Sequence, residues 1–154
     1  MTPVVRPITS IILHHSEGPE GASVAELRAK HVQQLGFDDI GWHWIVTRAG
    51  GWWHLEPGRD EGRVGAHDKG ENEGSIGVVL CGDYVRQVPD PVAWCMLVAA
   101  VADLCRRHGL GPDQVEGHGE DEPPGEPGTL CPGVDMPQLR CDVAGVLNAV
   151  KGGA

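Results

Sequence analysis

The chain has 154 residues, enough for one domain with a sizeable core, and its 40% apolar and 22% charged residues are those of a globular protein. Twenty-two acidic side chains against twelve basic ones give a net charge of −10, with no Lys/Arg cluster or stripe. That balance excludes nucleic acid as the main partner and offers no electrostatic attraction to anionic membranes or wall polymers.

Residues 1–7 lack the basic start and apolar block of a secretory signal, so synthesis in the cytoplasm is expected. No apolar run approaches the roughly 20 residues needed to cross a bilayer. Residues 8–13 are rich in β-branched side chains and predict a buried strand that delivers His14 at its end. Ser23 with Glu26 forms a capping box that opens a helix to about residue 34, and Gly36 stops it. Residues 42–47 and 52–55 predict a hairpin around the turn Ala49-Gly50-Gly51. Residues 75–80 form a continuous apolar strand.

Asp90 and Pro91 predict the start of a long helix that runs to about Arg107 and closes at Gly109. A short strand over 114–116 leads into His118, an irregular Pro/Gly/acid-rich loop covers 120–129, and a last helix runs from Pro137 to about Val150. The order β-α-β-β-β-α-β-α predicts an α/β fold: one domain with a central mixed sheet flanked by helices. His14 and His118 both follow short strands, so both can lie along one sheet edge.

Chemistry concentrates in few places. The cysteines are five, an odd number, with no Cys-x-x-Cys pair, so free thiols are expected. Cys81, Cys95 and Cys105 lie in apolar stretches and read as core residues, whereas Cys131 is followed by Pro-Gly and belongs to a loop. His14, His118 and Cys131 are a donor set that suits zinc, three protein ligands leaving one tetrahedral position for water. Taken singly, each histidine reads more readily as a solvated turn residue. His67 lies in a glycine-spaced polar loop and reads either as a surface residue or as a substrate donor on the rim of such a site. His31, His43, His54 and His108 read as packing or solvent residues, and most of Trp42, Trp44, Trp52 and Trp53 as core.

Six segments then share an order with a known family: Ile-Ile-Leu-His-His-Ser (11–16), Ile-Gly-Trp-His-Trp-Ile-Val (40–46), Val-Gly-Ala-His-Asp-Lys-Gly-Glu-Asn (64–72), Ser-Ile-Gly-Val-Val-Leu-Cys-Gly (75–82), Gly-His (117–118) and Thr-Leu-Cys-Pro-Gly (129–133). In these the chain resembles the zinc-dependent N-acetylmuramoyl-L-alanine amidases, the type 2 amidase family of phage endolysins and peptidoglycan recognition proteins. The resemblance is nearest to the single-domain endolysin branch. It implies the amidase fold over 1–154 with no separate wall-binding domain, and Zn2+ held by His14, His118 and Cys131. It also implies that Thr129 steadies the reacting carbonyl and that His67 and Asn72 lie on the substrate groove. The implied reaction is hydrolysis by zinc-activated water of the amide between N-acetylmuramic acid and L-alanine. Peptidoglycan is then the partner of a monomer that acts on the cell wall after release from the host cytoplasm.

One position departs from the family pattern. Where many members carry a tyrosine after Ile-Gly, this chain has Trp42 in that catalytic, substrate-contacting place, and an indole N–H can donate a hydrogen bond but cannot accept a proton. Glu120, Asp121 or His15 are the groups available to substitute as acid or base. A missing helper typically costs roughly 10²–10⁴-fold, while zinc alone brings the pKa of bound water to about 7, so a working enzyme is expected. The alternatives are a peptidoglycan-binding module with weak or lost turnover, and a cytosolic anhydro-muropeptide amidase. The latter branch uses a glutamate where this chain has Val79.

Overall fold

A computed structural model of the chain describes residues 6–120 and 128–152. Its elements follow the expected order: β1 (Ser10–His15), α1 (Val24–Ala29), β2 (Trp44–Ala49), β3 (Trp52–Pro57), β4 (Ser75–Leu80), α2 (Pro91–His108), β5 (Val115–Gly117) and α3 (Met136–Gly152). The Ser23 hydroxyl accepts from Glu26 N–H, and the Glu26 carboxylate accepts from Ser23 N–H, so the predicted capping box starts α1. Helical turns continue through Lys30–Gln34 in a wider, π-type spiral. The Asp90 carboxylate caps α2 by accepting from Val92 N–H and Ala93 N–H, and Gly109, at φ 68°, takes the left-handed position that ends it. Gly50 and Gly51, at φ 57° and 84°, form the hairpin turn that only glycine adopts without strain.

The five strands form one mixed sheet in the order β3-β2-β4-β1-β5, antiparallel only between β2 and β3. One face of the sheet carries Ile11, Leu13, Val46, Ile76, Val78 and Leu80 into the main core against α2 and α3. The opposite face carries Ile45, Val79 and Cys81 toward Leu27 of α1. Because strand side chains alternate between faces, His14 lies on the face that α1 covers only in part. Parallel pairing matches Leu13 with Gly117 and His14 with Val79, so β1, β4 and β5 all end at one edge of the sheet. His118 follows β5 directly at that edge.

Three expectations are corrected. β1 runs two residues past Leu13, because His14 and His15 are buried and still paired. Cys95 is exposed, unlike the buried Cys81 and Cys105. Of the four hairpin tryptophans only Trp53 is buried, and Trp52 is 75% exposed, since β3 is the sheet edge. Most of the expected 120–129 loop lies outside the described residues.

Candidate metal centre

His14, His118 and Cys131 converge, although 117 positions separate the first from the last. One ligand atom from each lies within 4.8 Å of the others. Backbone hydrogen bonds bring them together. Gly119 N–H donates to Cys131 C=O at 2.7 Å and docks the Cys131 loop on the turn that carries His118. A Cβ at Gly119 would meet Thr129 O at 2.2 Å, so this approach needs glycine. His15 N–H donates to Cys131 Sγ at 3.4 Å, which ties the sulfur to the end of β1.

The donor set fits a tetrahedral zinc. Cys131 Sγ lies 3.8 Å from His14 Nδ1, close to the ~3.6 Å that Zn–N and Zn–S bond lengths imply for two tetrahedral ligands. His14 is buried, and its imidazole is held well below the ordinary 6.5 by desolvation, then by the neighbouring His67. It therefore stays neutral, the form that ligates. Burial pushes the Cys131 thiol up to about 12, so a cation binding there must displace a proton.

The three residues form the floor of a cleft of about 280 Å³. Trp42 forms part of its wall, its ring centroid 6.1 Å from His14 and 4.4 Å from His31. Thr129 lies on the rim; its Oγ1 accepts from Cys131 N–H at 3.1 Å, so the hydroxyl hydrogen remains free to be donated. His67 faces His14, with Nδ1 3.1 Å from His14 Nε2, rather than open solvent. Asn72 turns inward: its Oδ1 accepts from His67 N–H at 2.8 Å and from Asp68 N–H at 3.0 Å. The Glu120 carboxylate accepts from Gly117 N–H at 2.8 Å and from the Arg140 guanidinium, and it does not line the cleft. Asp121 lies outside the described residues. His15 does line the cleft, its Nδ1 accepting from Tyr84 N–H at 3.2 Å.

Sequence reasoning passed over two neighbours of this site. Asp68 Oδ1 stands 3.9 Å from His118 Nε2, and Ser75 Oγ stands 3.4 Å from His67 Nε2. Adjacency to His67 was the available signal for Asp68. For Ser75 there was none.

Residues 5–134 match the N-acetylmuramoyl-L-alanine amidase family. The chain belongs to that family. Among curated relatives, the endolysin of Escherichia phage T7 is 46% identical over 63 residues, covering 41% of this chain and 39% of that protein. The endolysin of Enterobacteria phage T3 is 41% identical over 80 residues, or 50% of each chain. The chain thus spans about half the length, or less, of these relatives. The fold is also that of solved amidases. LysC, an N-acetylmuramoyl-L-alanine amidase from Clostridium intestinale, superposes with a TM-score of 0.73 at 22% identity over 92% of this chain and 86% of its own. Drosophila PGRP-LB gives 0.69 at 25% identity over 83% and 76%.

Proposed function

We propose that this family member is a zinc-dependent amidase that cleaves the bond between N-acetylmuramic acid and the L-alanine of the peptidoglycan stem peptide. The convergence of His14, His118 and Cys131 within 4.8 Å on the floor of a cleft carries the reading. These three residues would hold Zn2+, which supplies Lewis acidity toward the amide carbonyl and lowers the pKa of water.

The chain's own groups do the remaining work. Thr129 Oγ1, held by Cys131 N–H at the cleft lining, has its hydroxyl hydrogen to donate to an oxyanion that develops as the amide is attacked. Trp42 offers a flat apolar face for the sugar or peptide backbone and an indole donor to orient it, but takes no proton. Glu120, tied to Arg140 and to Gly117 N–H, acts by fixing the turn that carries His118. Burial keeps the His14 imidazole neutral. With a net charge of −10, affinity for the wall polymer depends on contacts in the groove rather than on long-range attraction.

The kinship with phage endolysins supports the cell wall as the place of action. Among the described residues, no helix is long and apolar enough to cross a membrane. The test is to incubate the zinc-loaded protein with muropeptides and follow free stem peptide by mass spectrometry. Release of the peptide with intact N-acetylmuramic acid supports the reading. Binding without product favours the peptidoglycan-binding alternative that Trp42 motivates.

A further inference from the structure

The loop between β3 and β4 puts two consecutive side chains behind the two histidines of the centre. His67 Nδ1 lies 3.1 Å from His14 Nε2, and Asp68 Oδ1 lies 3.9 Å from His118 Nε2. Asn72 clips both in place, one carboxamide oxygen accepting from both of their backbone N–H groups. Glycine makes room for the His67 ring: a Cβ at Gly77 or at Gly65 would meet its Cδ2 at 2.4 Å.

The hydrogen bonds also have a direction. Ser75 Oγ–H donates to Glu71 C=O at 2.7 Å, so toward His67 Nε2, 3.4 Å away, the serine oxygen accepts. A neutral imidazole has one donor and one acceptor nitrogen. This pattern favours a His67 hydrogen on Nε2 and a lone pair at Nδ1, placed to accept from His14 Nε2–H. The same pattern puts the lone pair of His14 on Nδ1, the nitrogen that lies 3.8 Å from Cys131 Sγ. The Asp68 carboxylate stands on the Nε2 side of the His118 ring, at 3.9 Å, where its charge favours a hydrogen on that nitrogen.

We propose that His67 and Asp68, clipped by Asn72, are positioning residues that lock His14 and His118 in the tautomer and orientation that bind the metal, rather than residues that contact substrate. The proposal rests on the zinc reading of His14, His118 and Cys131. Partners of this kind are typically worth about 10–100-fold in metal affinity.

The test uses the full chain and two readouts that need no turnover. Chelator competition gives the zinc dissociation constant of the wild type and of His67→Phe, His67→Asn, Asp68→Ala and Asn72→Ala. Long-range ¹H–¹⁵N spectra of the zinc-free protein give the His14 tautomer. The expected result is an Nε2–H tautomer for His14 in the wild type. Zinc binding should be weaker by about 10–100-fold in His67→Phe and weaker in Asp68→Ala and Asn72→Ala. It should be largely restored in His67→Asn, which keeps an acceptor. Circular dichroism separates loss of fold from loss of metal. Should His67→Phe misfold, the Asp68→Ala and Asn72→Ala constants decide. Wild-type zinc affinity in all the folded variants, with a raised KM, would overturn the proposal and return His67 and Asn72 to the substrate groove. Absence of zinc uptake by the wild type would instead overturn the underlying metal reading.

Discussion

His43 and His67 stand side by side on the same face of the sheet, their ring centroids 5.6 Å apart, yet they belong to different parts of the molecule. Each nitrogen of His43 has a backbone partner: Nδ1 accepts from Gly77 N–H at 2.9 Å and Nε2 lies 3.0 Å from Arg63 C=O, with the Arg6 guanidinium also 3.3 Å from Nε2. His31 follows the same pattern, its Nδ1 accepting from Gly41 N–H at 2.8 Å. His14 and His67 pair with each other instead, and His14 Nδ1 points toward a thiol. The backbone-bound histidines hold the loops around the sheet. The pairing with His67 leaves His14 a lone pair on Nδ1 for a cation. What separates the two groups is the destination of each ring nitrogen, because burial alone does not: His14, His31 and His43 are all buried.

Alanine in place of each group should break the molecule in opposite ways. His14→Ala, like Cys131→Ser, should leave a folded protein whose stem-peptide release falls below detection by mass spectrometry. His43→Ala should leave Gly77 N–H buried without an acceptor and lower stability by about 1–3 kcal/mol, read from the urea midpoint, without removing a zinc ligand. Thr129→Val keeps the shape of the rim and removes its donor. It should lower kcat by about 10²–10³-fold, with zinc content unchanged.

The pH dependence of folding sharpens the contrast further. Burial holds His43 at about 4, below its ordinary 6.5, so the unfolded chain takes up a proton where the folded chain does not. Its contribution is whole above pH 6.5 and is lost as the pH falls toward 4. The loss is at most about 3 kcal/mol, from the span between the two values. Urea unfolding of zinc-free protein at stepped pH should show this slope, and His43→Asn should reduce it. Gly77→Ala should lower stability by about 1–3 kcal/mol through overpacking, as its methyl group meets the His67 ring. Its thermal midpoint should fall, and its zinc affinity with it.

Much of the fold was legible because local signals agreed. β4 runs over the predicted residues 75–80, where an uninterrupted apolar run meets a sheet buried on both faces. Both ends of α2 were marked, by Asp90-Pro91 and by Gly109. Strand ends near the site were misread by about two residues, since polar His14 and His15 are buried there against the usual rule. The hairpin start shifted for the same reason: Trp42 and His43 turn toward the cleft and its supporting loop before β2 begins at Trp44. The three candidate ligands could be named from residue type and family resemblance. The support from Asp68 and Ser75 could not, because each depends on a partner that only the parallel register and the loop closure bring near.

The central claim is that three side chains at one sheet edge hold a single zinc ion, and metal content tests it most directly. The account predicts one zinc per wild-type chain after equilibration and dialysis, and none in the folded His14→Ala/Cys131→Ser double variant. Stoichiometric zinc retained by that variant, or none taken up by the wild type, would contradict it.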